Sequence, residues 1–141
     1  MGIQSADLNV YFDGHLDNLR SVSSLVERVC RRLKLDDTTS YHVELAVVEA
    51  VTNCIRHAFG GEDTRPMHVG AHVKGDNLLI SVTDRGQPAE LAFSQGDDDR
   101  VIPDELEEGG RGLFLISSLM DRVEHRCDSR GNTLLMTKAL R

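Results

Sequence analysis

Apolar and polar residues alternate along "LNVYFDG", Leu8 to Gly14, so the spacing predicts a first strand ending in an Asp-Gly turn. The period then changes. Leu16, Leu19, Val22, Val26, Val29 and Leu33 recur every three or four positions, the stripe of an amphipathic helix. "DDTTS", Asp36 to Ser40, interrupts that stripe and supplies several N-cap oxygens for a second helix. The second helix is expected from about Ser40 to Phe59, with Gly60 and Gly61 stopping it. In "PMHVGAHVK", Met67, Val69, Ala71 and Val73 fall on one face of a strand, and "GDN", Gly75 to Asn77, predicts a turn into a returning strand, "LLISVTD".

From Arg85 to Arg111 the apolar anchors thin out, and "GDDD" and "DELEE" add acidic charge. A loop of that length inside a small domain is a place to look for function. A short helix, "GLFLISSLMD", and a hairpin of "RVEHRC" and "NTLLMTKAL" around "DSRG" complete the pattern. Consecutive hairpins with few helices predict an α+β fold. The expected form is a two-layer α/β sandwich, with a mixed, mostly antiparallel sheet carrying its helices on one face. One domain over 1–141 accounts for all of these elements.

Composition narrows the functional classes. The 141 residues are 40% hydrophobic and 28% charged, a globular balance, and without Trp the core must rest on Leu, Val, Ile and Ala. A formal net charge of −7 argues against a direct grip on nucleic acid, which needs a basic face. The cluster Arg28, Arg31, Arg32 and Lys34 reads as a solvated helix end. No run approaches the ~18 apolar residues of a membrane span, so no membrane contact is expected. Cys30, Cys54 and Cys127 lack metal-type spacing and sit in apolar runs, where buried, reduced thiols and a cytoplasmic setting are expected.

Candidate chemistry begins in "VVEAVTNCIRHAFGG", where Glu49, Asn53 and His57 stand four residues apart along the second helix. An Asn carboxamide oxygen suits Mg²⁺, and a Glu one turn away can take a proton. In "VTDRGQP", Asp84 leaves a strand just before Gly86, so its carboxylate can accept from an exocyclic amine while the glycine lets the backbone approach a flat ligand. In "EEGGRGLFLI", Gly109, Gly110 and Gly112 precede and open an apolar helix, an arrangement that frees backbone N–H groups for an anion, with Arg111 among them. His68 and His72 share a strand face, but their spacing is long for one metal.

Taken in this order, "EAVTNCIRHAF", "VTDRGQP" and "GGRGLFLISSLMDRVE" resemble the boxes of the GHKL ATPase superfamily, and within it the bacterial anti-sigma-factor serine/threonine kinases. The likeness covers nearly the whole chain. It implies a Bergerat-type ATP-binding fold, ATP and Mg²⁺ as cofactors, Glu49 as general base and Asn53 as Mg²⁺ ligand. It further implies Asp84 as the adenine-reading carboxylate with Gly86 beside it, and Gly110, Arg111 and Gly112 at the phosphates. Thr133 matches a threonine position near the adenine.

The implied substrate is a small antagonist protein phosphorylated on Ser or Thr, with a sigma factor or similar client held alternately. A homodimer belongs to the same family likeness, and the first helix, with its apolar stripe and Arg-rich end, is the expected partner or dimer surface. A nucleotide-dependent protein-binding switch without kinase activity is the alternative. His57 and Arg56 stand at the end of the polar row without an assigned role.

Overall fold

The structure, a computed structural model, describes residues 7–55, 66–84, 114–128 and 131–140. Strand β1 (Leu8–Asp13) is followed by a 3₁₀ turn (Leu16–Asn18), helices α1 (Leu19–Arg32) and α2 (Asp37–Asn53), and strands β2 (Pro66–Lys74) and β3 (Asn77–Asp84). A short helix, α3, over 114–119 precedes β4 (Arg122–Asp128) and β5 (Gly131–Ala139).

The strands form one sheet in the order β1-β2-β3-β5-β4, and each neighbouring pair is antiparallel. The expected mixed sheet is therefore corrected to an antiparallel one among the described residues. β3 and β4 do run the same way, but β5 lies between them. The connection from β3 to β4 is thus a crossover that carries α3, as parallel strands require. Residues 85–113 belong to this connection and leave β3 directly after Asp84.

Register places apolar residues in rows across one face. Leu8, Ala71, Ile80, Met136 and Val123 form one row, and Val10, Val69, Val82, Leu134 and His125 form the next. These rows join Val22, Val26, Val29 and Cys30 of α1 and Val43, Ala46, Val47, Ala50 and Val51 of α2 in a single core, to which α3 adds Ile116. The apolar stripe of α1 is therefore consumed inside the molecule. This corrects the expectation that it faces a partner; only Leu16, in the 3₁₀ turn, is left half exposed.

Local chemistry explains the helix ends. Among the cap candidates it is Asp36 that accepts from the Thr39 N–H at 2.7 Å, so α2 begins at Asp37, ahead of the expected Ser40. Helix α1 closes with the Leu35 N–H on the Cys30 carbonyl (3.1 Å) and the Lys34 N–H on the Arg31 carbonyl (3.0 Å). That is a Schellman closure, and it puts Lys34 at φ 59° in the position glycine usually fills. The β2–β3 hairpin turns on Gly75 and Asp76 alone, with Gly75 at φ 62° and Asn77 already paired with Lys74. The turn is two residues rather than the expected three, matching the twist that two-residue loops impose.

The end of α3 is fastened to the sheet. Lys138 Nζ donates to the Leu119 carbonyl at 2.7 Å, the Asp121 N–H bonds the Thr137 carbonyl at 2.9 Å, and Asp121 Oδ2 accepts the Ala139 N–H at 2.6 Å. The helix that follows the glycine-rich stretch therefore has a fixed C-terminal end.

The left-handed conformation at Lys34 generates a stability prediction. An L-residue there costs roughly 1–2 kcal/mol, partly offset by the greater unfolded freedom of glycine, so Lys34→Gly should stabilise by about 0.5–1 kcal/mol. Urea unfolding should show a higher midpoint with an unchanged slope; a lower midpoint would refute the strain.

Candidate functional site

Helix α2 buries Val43, Ala46, Val47, Ala50 and Val51, which leaves Glu49 and Asn53 on the flank of that stripe, one turn apart and both half-buried. Their Cα positions are separated by about 6 Å along the axis. Asn53 Nδ2 is buried, and among the described residues no acceptor reaches it. A buried amide left without a partner costs about 1–3 kcal/mol. A half-turn of the side chain exchanges its oxygen and nitrogen, so this end of Asn53 is complete only with an acceptor or a cation beside it.

The third inward row of the sheet breaks the apolar pattern: Phe12, Met67, Asp84, Asn132 and Cys127. Asp84 is 2% exposed and Asn132 5%. Asn132 Nδ2 donates to Asp84 Oδ1 at 3.1 Å, directly across the β3–β5 ladder. From the helix side the Cys54 thiol lies within reach of the same carboxylate. Burial first, and then the Asp84 charge and hydrogen bond, push the Cys54 thiol well above its ordinary value. His125, one row away on β4, lies within electrostatic reach of Asp84; burial holds its imidazole below the usual range, and the carboxylate opposes that effect.

The structure therefore brings the end of α2 and the end of β3 together through adjacent residues, Asn53 and Cys54 on one side and Asp84 on the other. It does not bring Thr133 to them. Thr133 belongs to the row Tyr11, His68, Thr83, Thr133 and Arg126, on the opposite sheet face, where its hydroxyl lies 3.1 Å from that of Thr83. Strand alternation forces this outcome, since neighbours on a strand point to opposite faces. The inward polar residue of β5 is Asn132.

Gly86, Gly110, Arg111 and Gly112, with Arg56 and His57, lie outside the described residues. The expectation of three buried thiols holds for Cys30; Cys54 is partly buried, and Cys127 is exposed near the hairpin end of the edge strand β4. His68 is engaged on the outer face, 3.0 Å from Asn9 Oδ1 and tilted against Tyr11. Among the described residues no three His, Cys, Asp or Glu side chains cluster as metal ligands. Likewise, no described helix is long and apolar enough to cross a membrane.

Reading residues one at a time missed Asn132 and Cys54. Asn132 was within reach, because it stands in phase with the inward Leu134 and Met136. Cys54 was hidden in an apolar run.

The fold is thus an antiparallel sheet with helices on one face, and a buried strand-end carboxylate meets the end of a helix that carries Glu and Asn. The chain belongs to the family of histidine kinase-like ATPase domains, whose profile matches residues 12–138. It is 44% identical over 103 residues to the serine-protein kinase RsbW of Halalkalibacterium halodurans, covering 70% of this chain and 61% of that protein. It is 31% identical over 114 residues to RsbW of Oceanobacillus iheyensis, covering 78% and 72%. The chain thus spans less than two thirds of the first of these relatives. The crystal structure of the RsbU and RsbW domains of Rv1364c from Mycobacterium tuberculosis shares the fold, with a TM-score of 0.69 at 20% identity over 94% of this chain and 32% of that one.

The thiols provide a check on this geometry. Burial raises Cys30 to about 11, and Cys54 is held well above the ordinary 9.0, so both stay protonated at pH 8 while Cys127 is exposed. Iodoacetamide at pH 8 should modify Cys127 first, and the other two only after unfolding in urea, as read by peptide mass mapping. Early modification of Cys54 would contradict its burial against Asp84.

Proposed function

We propose that this chain is an ATP-dependent serine/threonine protein kinase of the anti-sigma-factor type. It phosphorylates a small antagonist protein and alternately holds a sigma factor or similar client. The observation that carries the reading is the buried Asp84 carboxylate at the C-terminal end of β3, set against Cys54, which caps α2 directly after Asn53. The names of the RsbW relatives support the same activity.

Asp84 accepts the hydrogen bond of adenine's exocyclic amine. A buried acceptor surrounded by Val82, Met67 and Cys54 suits a flat, weakly polar base with one donor to place. Gly86 gives that base its close approach, and Gly110, Arg111 and Gly112 meet the phosphates, as the family likeness implies. Asn53 fits Mg²⁺, because its carboxamide offers a hard oxygen ligand at the buried end of α2. When bound, Mg²⁺ supplies charge neutralisation on the phosphates.

Glu49 orients the substrate hydroxyl and takes its proton as the oxygen bonds to the γ-phosphorus. The bond to the bridging oxygen breaks, and ADP leaves with its electron pair. Such transfer depends mainly on positioning and electrostatics, so few side chains are needed.

Calorimetric titration with ATP, with and without Mg²⁺, tests the pocket. Asp84→Ala should abolish binding, and Asn53→Ala should remove the gain due to Mg²⁺. Glu49→Ala should bind ATP about as well as the parent, yet transfer phosphate to the antagonist at a rate lower by about a hundredfold or more. Transfer by Glu49→Ala at the parent rate would remove the base assignment, and no binding at millimolar ATP would remove the kinase reading.

A further inference from the structure

Asp84 is a carboxylate inside an apolar face, and its orientation is set by neighbours that come from two different elements. Asn132 reaches it across the sheet at 3.1 Å, and both side chains are more than nine-tenths buried. Cys54 reaches it from the C-cap of α2. We propose that Asn132 and Cys54 act as a two-sided donor clamp that positions the Asp84 carboxylate, and thereby sets the preference of the pocket for a base bearing an amine rather than a carbonyl at the reading position. This inference rests on the adenine-reading role proposed for Asp84.

The physical argument is one of rotation. A carboxylate can turn about its Cβ–Cγ bond, and an acceptor that reads one amine must hold its lone pairs in one direction. One donor fixes a point on the carboxylate; a second donor from the facing layer fixes the plane. Both donors here are neutral, so they orient the acceptor without cancelling its charge, as a lysine or arginine would. Cys54 also follows Asn53 directly in the chain, so the clamp couples the base-reading end of the site to the metal-binding end through one peptide unit.

Clamping affects discrimination more than general affinity. The contacts that a nucleotide makes through sugar and phosphates do not involve Asp84, so misaligning the carboxylate weakens only the ligand whose amine it reads. ATP and ITP form a suitable pair of probes, because they differ only at the purine C6 substituent, an amine against a carbonyl, and the associated N1 proton.

The experiment measures Kd for ATP and for ITP by calorimetry on the full chain and on Cys54→Ala, Cys54→Ser and Asn132→Leu, with thermal unfolding as the control for folding. Hydrogen bonds to charged groups are strong, so Cys54→Ala and Asn132→Leu should each weaken ATP about tenfold while leaving ITP within about twofold. Cys54→Ser, which keeps a donor at the same place, should restore most of the ATP preference. Should Asn132→Leu fail to fold, the contrast between Cys54→Ala and Cys54→Ser carries the test alone. An unchanged ATP-to-ITP ratio in variants of a parent that binds ATP would overturn the clamp and leave the kinase reading standing. A parent that binds neither nucleotide would overturn both.

Discussion

Asp84 closes a strand whose other inward residues are Leu78, Ile80 and Val82, and burying a carboxylate among such neighbours costs several kcal/mol unless donors meet it. The structure around it is arranged to meet that requirement. β5 must lie beside β3, and in this register, for Asn132 to face the carboxylate. α2 must run its last turn over the same row for Cys54 to reach it. The crossover that takes the chain from β3 to β4 follows from the first of these conditions, since β5 occupies the place where the chain would otherwise turn straight back. Topology, register and helix placement thus converge on one polar group.

The inner face of the sheet was legible because alternation is a local property. Met67, Val69, Ala71 and Val73 declare their face without reference to any other strand. The pairing of β3 with β5 was not legible, because no residue on either strand carries information about its neighbour until the core is assembled. The same limit separates Asn132 from Thr133. Both are polar, they are adjacent, and only the phase of the strand decides which one enters the core. Asp36 won the cap of α2 from four other polar candidates through one hydrogen bond, which a list of cap-forming residues cannot rank. Asp84, Asn53 and Glu49 stood out earlier because a charged or amide side chain in an apolar context conflicts with its surroundings, and such conflicts are often where function lies.

The two faces of the sheet divide the labour between them. The inner face is occupied by helices and by the polar row at its end. The outer face carries Thr83, Thr133, Tyr11 and His68, which bond or stack among themselves. Thr133 thus keeps its hydroxyl on the outer face, while Asn132 meets the carboxylate on the inner one.

Asn53 carries the remaining consequence. Among the described residues no acceptor reaches its buried amide end, and a group that completes that end removes the cost. A ligand that completes it in the folded chain raises resistance to unfolding with its own concentration, by about 2.7 kcal/mol at a hundred times its Kd.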